Sequence, residues 1–275
     1  MPGQTERMTP RDTYTHGHHD SVLRSHRWRT VANSAGYLRD HLRPGMSLLD
    51  VGCGPGTLSV DLACHVAPGP VVAIDAAADV LGEARRHAAE AGVDTIAFRV
   101  ADAYDLDLPD GSFDVVHAHQ VLQHVSDPVA LLRELRRVVH DDGVVAVRDA
   151  DYAGFTWFPE DPGLDRWLTL YHAVARGNGA EPDAGRRLLG WALDAGFALV
   201  VPSASVWCHA TAEDRAWWSG VWADRVRSSA FATQAIERGL ADHGDLEELA
   251  DAWRRWGASD RGWLTILHGE VLCRG

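Results

Sequence analysis

The chain has 275 residues, 46% hydrophobic and 24% charged, enough to bury an ordinary core in one large domain or in one domain with an insertion. Its net charge of −13, with every basic side chain an Arg, argues against a nucleic-acid or anionic-membrane surface, which needs clustered positive charge. Four scattered cysteines without a CxxC pair, no apolar leader in "MPGQTERMTPRDTYTHGHHDS" and no run near about 18 apolar residues point to a reduced, cytoplasmic protein with no metal centre or membrane span.

Residues 1–26 are polar and read as a segment preceding the folded domain, which spans 27–275. "RWRTVANSAGYLRDHL" predicts a helix over about 27–42, stopped by Pro44-Gly45. Strands and helices then alternate: "SLLDVG", "PVVAIDA", "TIAFRVADA", "FDVVHAHQ" and "DGVVAVRDA" as strands, with "TLSVDLACHV", "ADVLGEARRHAAEAG" and "DPVALLRELRRVV" as helices. Short apolar runs between amphipathic helices are the pattern of an α/β fold whose parallel sheet is covered on both faces. From residue 151 the texture changes to a loop and helix ("DYAGFTWFPEDPGLDRWLTLYHAVA"), a second helix ("DAGRRLLGWALDAGF") and a strand ("ALVVPSASVWCHA"). Residues 211 to about 256 are helical and Trp-rich, and "GWLTILHGEVLCRG" is a final strand. The two late strands can pair antiparallel, which makes 209–258 a helical insertion into the same fold.

"DVGCGPG" places Gly52, Gly54 and Gly56 in a turn between a strand and a helix, where glycine permits positive φ and close backbone approach. A dinucleotide fingerprint needs a third glycine where Thr57 stands, so a nicotinamide dehydrogenase is disfavoured. Asp75 ends the second strand, 23 residues after Gly52, where a carboxylate can accept from both ribose hydroxyls. Asp102 follows the third strand, where a carboxylate beside a backbone N–H can meet an adenine edge. Any one acid there can be a helix cap, but three with Asp50, all at the ligand-binding edge of an open sheet, form a pattern.

The run "LLDVGCGPG…VVAIDA…VADAYDLDLPDGSFDVVHAHQVLQHVSDPVALLRELRRVVHDDGVVAVRD" resembles the class I S-adenosylmethionine-dependent methyltransferases. More narrowly, it is similar to the branch with the C-methyltransferases of ubiquinone and menaquinone biosynthesis, over roughly residues 25–150. The resemblance implies a Rossmann-like, seven-stranded, mostly parallel sheet with an antiparallel last strand. It further implies that Gly52 and Gly54 line the methionine part of S-adenosylmethionine, that Asp75 binds ribose and that Asp102 with Ala103 binds adenine. Asp50 then supports the turn, and His119 and Gln120 border the sulfonium.

The acceptor is less legible. Tyr14, His16, His18 and His19 precede the first helix, in a segment of the kind that closes over the cofactor in the resembled fold; imidazoles there can serve as bases near neutral pH. The competing reading is a solvated leader, and an HxHH metal site lacks distant ligands. Tyr14, His19 and His119 are the catalytic candidates, while His124 reads equally well as a structural histidine. Tyr152 and Trp157, in the loop after the fifth strand, with Trp218 and Trp222 one helical turn apart, are the substrate-binding candidates. Most of the eleven Trp residues are expected in the core of the insertion.

These features suggest C-methylation of an aromatic or heteroaromatic small molecule, indole-like and from secondary metabolism. A quinone-ring C-methyltransferase and a non-catalytic cofactor-binding protein are the alternatives. An aromatic helical insertion also offers a face that a second copy can bury in a homodimer.

Overall fold

The apolar runs become strands lying side by side because helices in three of their four connections carry the chain back across a sheet face. The computed structural model describes residues 12–17 and 19–275, so His18 and the first eleven residues lie outside the described part. Strands β1 (Leu48–Val51), β2 (Val71–Asp75), β3 (Ile96–Val100), β4 (Phe113–His119) and β5 (Val139–Ala150) pair in parallel, in the order β3-β2-β1-β4-β5. Strand order reverses between β1 and β4, which opens a crevice at their carboxyl ends.

Beyond β5 the direction changes. β8 (Trp263–Arg274) pairs antiparallel with β5 on one side and with β7 (Leu199–His209) on the other. The expected seven strands are joined by an eighth: β6 (Thr156–Phe158) lies within the segment read as loop and pairs with Trp263–Thr265. β8 has twelve residues and outruns β5, so its free end accepts the β-favouring Thr-Trp-Phe triplet.

The helix expected over 27–42 is broken into three pieces. α1 (Asp20–Arg27) starts earlier, α2 (Val31–Ser34) is one turn, and Gly36–His41 is a 3-10 helix. Thr30 is the reason: it is extended, and its side chain and that of Asn33 cap one another's backbone N–H groups. The break turns Arg29 towards the sheet edge instead of along a helix face.

α3 (Thr57–Val66), α4 (Ala78–Glu90) and α5 (Pro128–Val138) cross between the parallel strands. Leu131, Leu132 and Leu135 of α5, with Ala192 of α7 (Leu188–Asp194), cover one face around Val116 and Val147; Leu58 and Leu62 of α3 cover the other around Leu48 and Ala146. A third core joins α6 (Pro162–Gly177) to α8 (Ala212–Ser228), α9 (Ala230–Glu237) and α10 (His243–Ala258), the helices of the insertion. Trp167, Trp222 and Trp253 are fully buried there. At about 25 cal/mol per Å² and roughly 200 Å² each, every one contributes on the order of 5 kcal/mol before entropy. Among the described residues no helix is long and apolar enough to cross a membrane, and all four cysteines are free.

Candidate active site

The glycine turn begins with a buried anchor. Asp50, inside β1, accepts a hydrogen bond from Ser59 Oγ at the start of α3 and is bonded to His117 Nδ1 of β4 at 2.8 Å, so one carboxylate ties strand, turn and neighbouring strand. Gly52, Gly54 and Gly56 all have positive φ, at 70°, 54° and 79°. A Cβ on Gly52 would stand 2.5 Å from Val121 Cγ2, so the turn is closed to side chains by space as well as by conformation. No side chain caps the amino end of α3, leaving its first N–H groups facing the turn.

Asp75 is the last residue of β2 and half-buried. Its carboxylate accepts from Gly54 N–H and from Ala77 N–H, both at 2.9 Å, which holds it at the crevice mouth. Asp102 lies two residues past β3, and its Oδ1 accepts from Tyr104 N–H at 2.9 Å; Ala103 sits half-buried in the same turn. The strand-end acids therefore line up along one edge, as their spacing predicts.

His119, the last residue of β4, is buried with neither ring nitrogen hydrogen-bonded. Burial, reinforced by the Arg29 charge, holds its pKa well below the ordinary value, so it is neutral at pH 7. Gln120 follows in the left-handed region with φ 55°, a conformation costing a non-glycine residue about 1–2 kcal/mol. Its backbone N–H donates to Arg148 O at 2.7 Å, its Oε1 accepts from Arg29 Nη2, and its Nε2 is bonded to His268 Nε2 at 2.9 Å. Those three bonds hold the strained residue in place.

Two adjoining cavities share Arg29 and His26. The first is lined by Asp50, Gly52, Cys53, Gly54, Thr57 and His119. The second is narrow, about 30 Å³, and walled by Tyr14, Tyr152, Phe155, Trp207, Trp218 and Trp222, with His16, His124 and Arg225 among them. Tyr14 Oη is bonded to His26 Nε2 at 3.4 Å, and Tyr152 stacks on Tyr171 at 3.9 Å. His16 Nε2 is 3.0 Å from Tyr171 Oη and 3.5 Å from Tyr152 Oη. Burial lowers the pKa of His16 and His26 well below the usual range and that of His124 to about 3, while it pushes Tyr14 up to about 12. The cavity holds neutral imidazoles and neutral phenols.

Tyr14, Gln120, Tyr152, Trp218 and Trp222 thus meet around the aromatic cavity, and His119, Asp50, Gly52 and Gly54 meet around the other. Asp75, Asp102 and Ala103 stand beside the cavities without lining them, and two of the catalytic and substrate candidates stand elsewhere. His19 is exposed at the amino end of α1, where its Nδ1 accepts from Ser21 N–H, and it lines neither cavity. Trp157 on β6 is half-buried against Trp167 in the insertion core, away from both cavities. Sequence reasoning missed Arg29, His26, Tyr171 and Arg225 altogether. A helix break at Thr30 was the one local signal for Arg29; nothing near Arg225 in "VWADRVRS" separates it from a surface arginine.

A glycine turn at the reversal point of a parallel sheet, acids at successive strand ends and an antiparallel β8 are the architecture of a class I methyltransferase. Residues 42–217 match the family described as "Methyltransferase domain". An uncharacterised methyltransferase of Schizosaccharomyces pombe is 33% identical over 269 residues, covering 94% of this chain and 95% of that protein. A probable methyltransferase of Aspergillus luteorubrus is 27% identical over 283 residues, covering 95% and 96%. The crystal structure of Bacillus subtilis YcgJ superposes with a TM-score of 0.56 at 20% identity over 87% of this chain and 97% of that one. The chain belongs to this methyltransferase family, and it is an S-adenosylmethionine-dependent enzyme. The cradle fits that cofactor: a turn that a Cβ would fill, and a carboxylate at the end of β2 within reach of it.

Proposed function

We propose that this enzyme methylates a flat aromatic or heteroaromatic small molecule of secondary metabolism, with an indole-like ring methylated on carbon as the leading case. The observation that carries this reading is the aromatic cavity beside the glycine turn, which shares Arg29 and His26 with it. Tyr152, Trp218 and Trp222 offer ring faces and edges for stacking, worth about 0.5–1.5 kcal/mol per aromatic pair beyond burial.

S-adenosylmethionine supplies an electrophilic methyl group on a sulfonium. The protein's work is positional. Gly52 and Gly54 would bring the backbone against the methionine portion, Asp75 would accept from the ribose hydroxyls, and Asp102 with Ala103 would meet the adenine. Arg29, at the junction of the cavities, suits the amino-acid carboxylate. Holding acceptor, methyl and leaving sulfur in line in a water-poor space supplies on the order of 7–11 kcal/mol of the barrier. The bound cofactor would supply the methyl group and leave with the sulfur, and a neutral imidazole on the acceptor wall would take the proton the acceptor gives up. His16, His26 and His124 stand on the acceptor wall for that role, with Tyr14 orienting His26; such a base adds about 10²- to 10⁴-fold. Tyr14, His16, His26 and Arg29 form the wall that closes the site.

The likeness to quinone C-methyltransferases rests on the cofactor half. A quinone ring is the second candidate acceptor, favoured only by that likeness. Incubation with isotopically labelled cofactor and a panel of indoles, phenols and quinols, followed by mass spectrometry and NMR of the products, tests the proposal. Labelled indoles or phenols are expected; methylation of quinols alone refutes it.

A further inference from the structure

Three arginines are buried among the described residues, and they are not alike. Arg148 pairs with Glu270 at 3.1 Å, and Arg215 has Asp260 at 3.8 Å. Arg225, 4% exposed on α8, has no carboxylate partner among the described residues. Its Nη2 donates to Ser25 Oγ at 2.9 Å and to Ser21 O at 3.3 Å, its guanidinium lies 4.5 Å over the Trp222 ring, and its Nε is buried with no hydrogen bond. An unpaired buried charge is costly, and one is retained where a ligand completes it.

The surroundings offer no internal counter-ion. The aromatic cavity is lined by Arg29 and Arg225 and by no Asp or Glu. The phenols nearest Arg225 are those of Tyr14, Tyr152 and Tyr171, and burial pushes all three upward, so they stay uncharged. Donors accumulate instead: the Nε1 groups of Trp218 and Trp222 are buried without partners on the same wall. Arg29 stands at the junction with the glycine-turn cavity and is already bonded to Gln120. Of these two arginines, Arg225 is the one absent from the lining of the glycine-turn cavity.

We propose that Arg225 docks a planar oxyanion carried by the methyl acceptor, either a carboxylate or an ionised acidic enol. This rests on the reading above that the aromatic cavity holds the acceptor. The acceptor is then an aromatic acid: its anion sits between Arg225 and the two indole N–H groups, and its ring spans towards the glycine turn. Charge, and not ring shape alone, selects it.

The test is isothermal titration of full-length enzyme saturated with S-adenosylhomocysteine, using matched pairs: indole-2-carboxylate against indole-2-carboxamide, and 4-hydroxycoumarin against coumarin. The first pair probes a carboxylate and the second an acidic enol. In at least one pair the anion is expected to bind about 10- to 100-fold more tightly than its neutral partner, the range of a charge-assisted bond. Arg225→Met should erase that preference and Arg225→Lys restore part of it, with affinity for S-adenosylhomocysteine unchanged in both. Equal binding of neutral and anionic partners, no binding by either, or a preference that survives Arg225→Met overturns the inference. So does a loss of S-adenosylhomocysteine affinity, which would assign Arg225 to the cofactor. If Arg225→Met does not fold, the wild-type pairs and Arg225→Lys decide. Methyl transfer to neutral members of the panel without anion preference would remove this inference and leave the aromatic-acceptor reading standing.

Discussion

Gly52→Ala is the sharpest test of the cofactor cradle, because two separable penalties meet at one atom. The backbone at Gly52 has φ 70°, which costs an L-residue with a Cβ roughly 1–2 kcal/mol. The added methyl would also stand 2.5 Å from Val121 Cγ2, an overlap of the kind that costs about 1–3 kcal/mol as the core shifts. Together they predict a loss of roughly 2–5 kcal/mol, a large share of the usual 5–15 kcal/mol of a folded domain. Val121→Ala removes Cγ2 and leaves the next Val121 atom, Cβ, at an ordinary 3.7 Å. The double variant should therefore recover the steric share and keep the conformational one, a favourable coupling of about 1–3 kcal/mol in a double-mutant cycle. Urea unfolding of the four proteins measures it, with calorimetry of S-adenosylmethionine alongside; affinity should stay depressed even in the double variant. A single variant destabilised by less than about 0.5 kcal/mol, or a cycle without coupling, refutes the account of the turn.

Asp75→Ala should weaken S-adenosylmethionine binding about 10- to 100-fold by calorimetry, because two hydroxyls lose a charged acceptor; unchanged affinity would move the ribose elsewhere. Glu270→Ala strips the carboxylate from buried Arg148 and should cost about 3–5 kcal/mol in denaturant unfolding, and the paired Arg148→Met/Glu270→Leu variant should cost much less. The histidines make stability acid-sensitive. His16, His119 and His268 are held neutral well below their ordinary pKa by burial, and His124 titrates at about 3. Their contribution is complete above about pH 6.5, where the unfolded chain is neutral too, and each loses about 1.4 kcal/mol per unit as pH falls towards the folded value. Asp149 works oppositely: burial raises it to about 7, so it favours the fold as pH drops through 7, offsetting about one histidine. Denaturant midpoints at pH 7.5 and 5.5 should therefore differ clearly in favour of the higher pH. Equal midpoints would mean that these rings reach water.

The cofactor half was legible because its signals are local. The glycines and Asp75 each belong to a strand end followed by a helix, and Asp102 to the turn just past a strand end, so chain spacing alone sets them along one edge. The acceptor half was not. Ser25 and Arg225 share a hydrogen bond across 200 residues of chain, and no periodicity in either segment announces it. Aromatic content could not separate wall from core: Trp222 serves both, whereas Trp157 only packs on Trp167. His19 illustrates the opposite error. A histidine beside an amino-terminal helix was read as a base, but the helix needed a cap and the ring's Nδ1 supplied it.

β8 lies between β5 and β7 and is hydrogen-bonded on both flanks, so it is the seam joining the parallel part of the sheet to the strand that leads into the insertion. Opening that seam would bare a flank on β5 and on β7 at once, two edges ready to pair with another chain. A substitution that loosens β8 should therefore cost enclosure of the acceptor before it costs affinity for the methyl donor, and should show itself first as self-association.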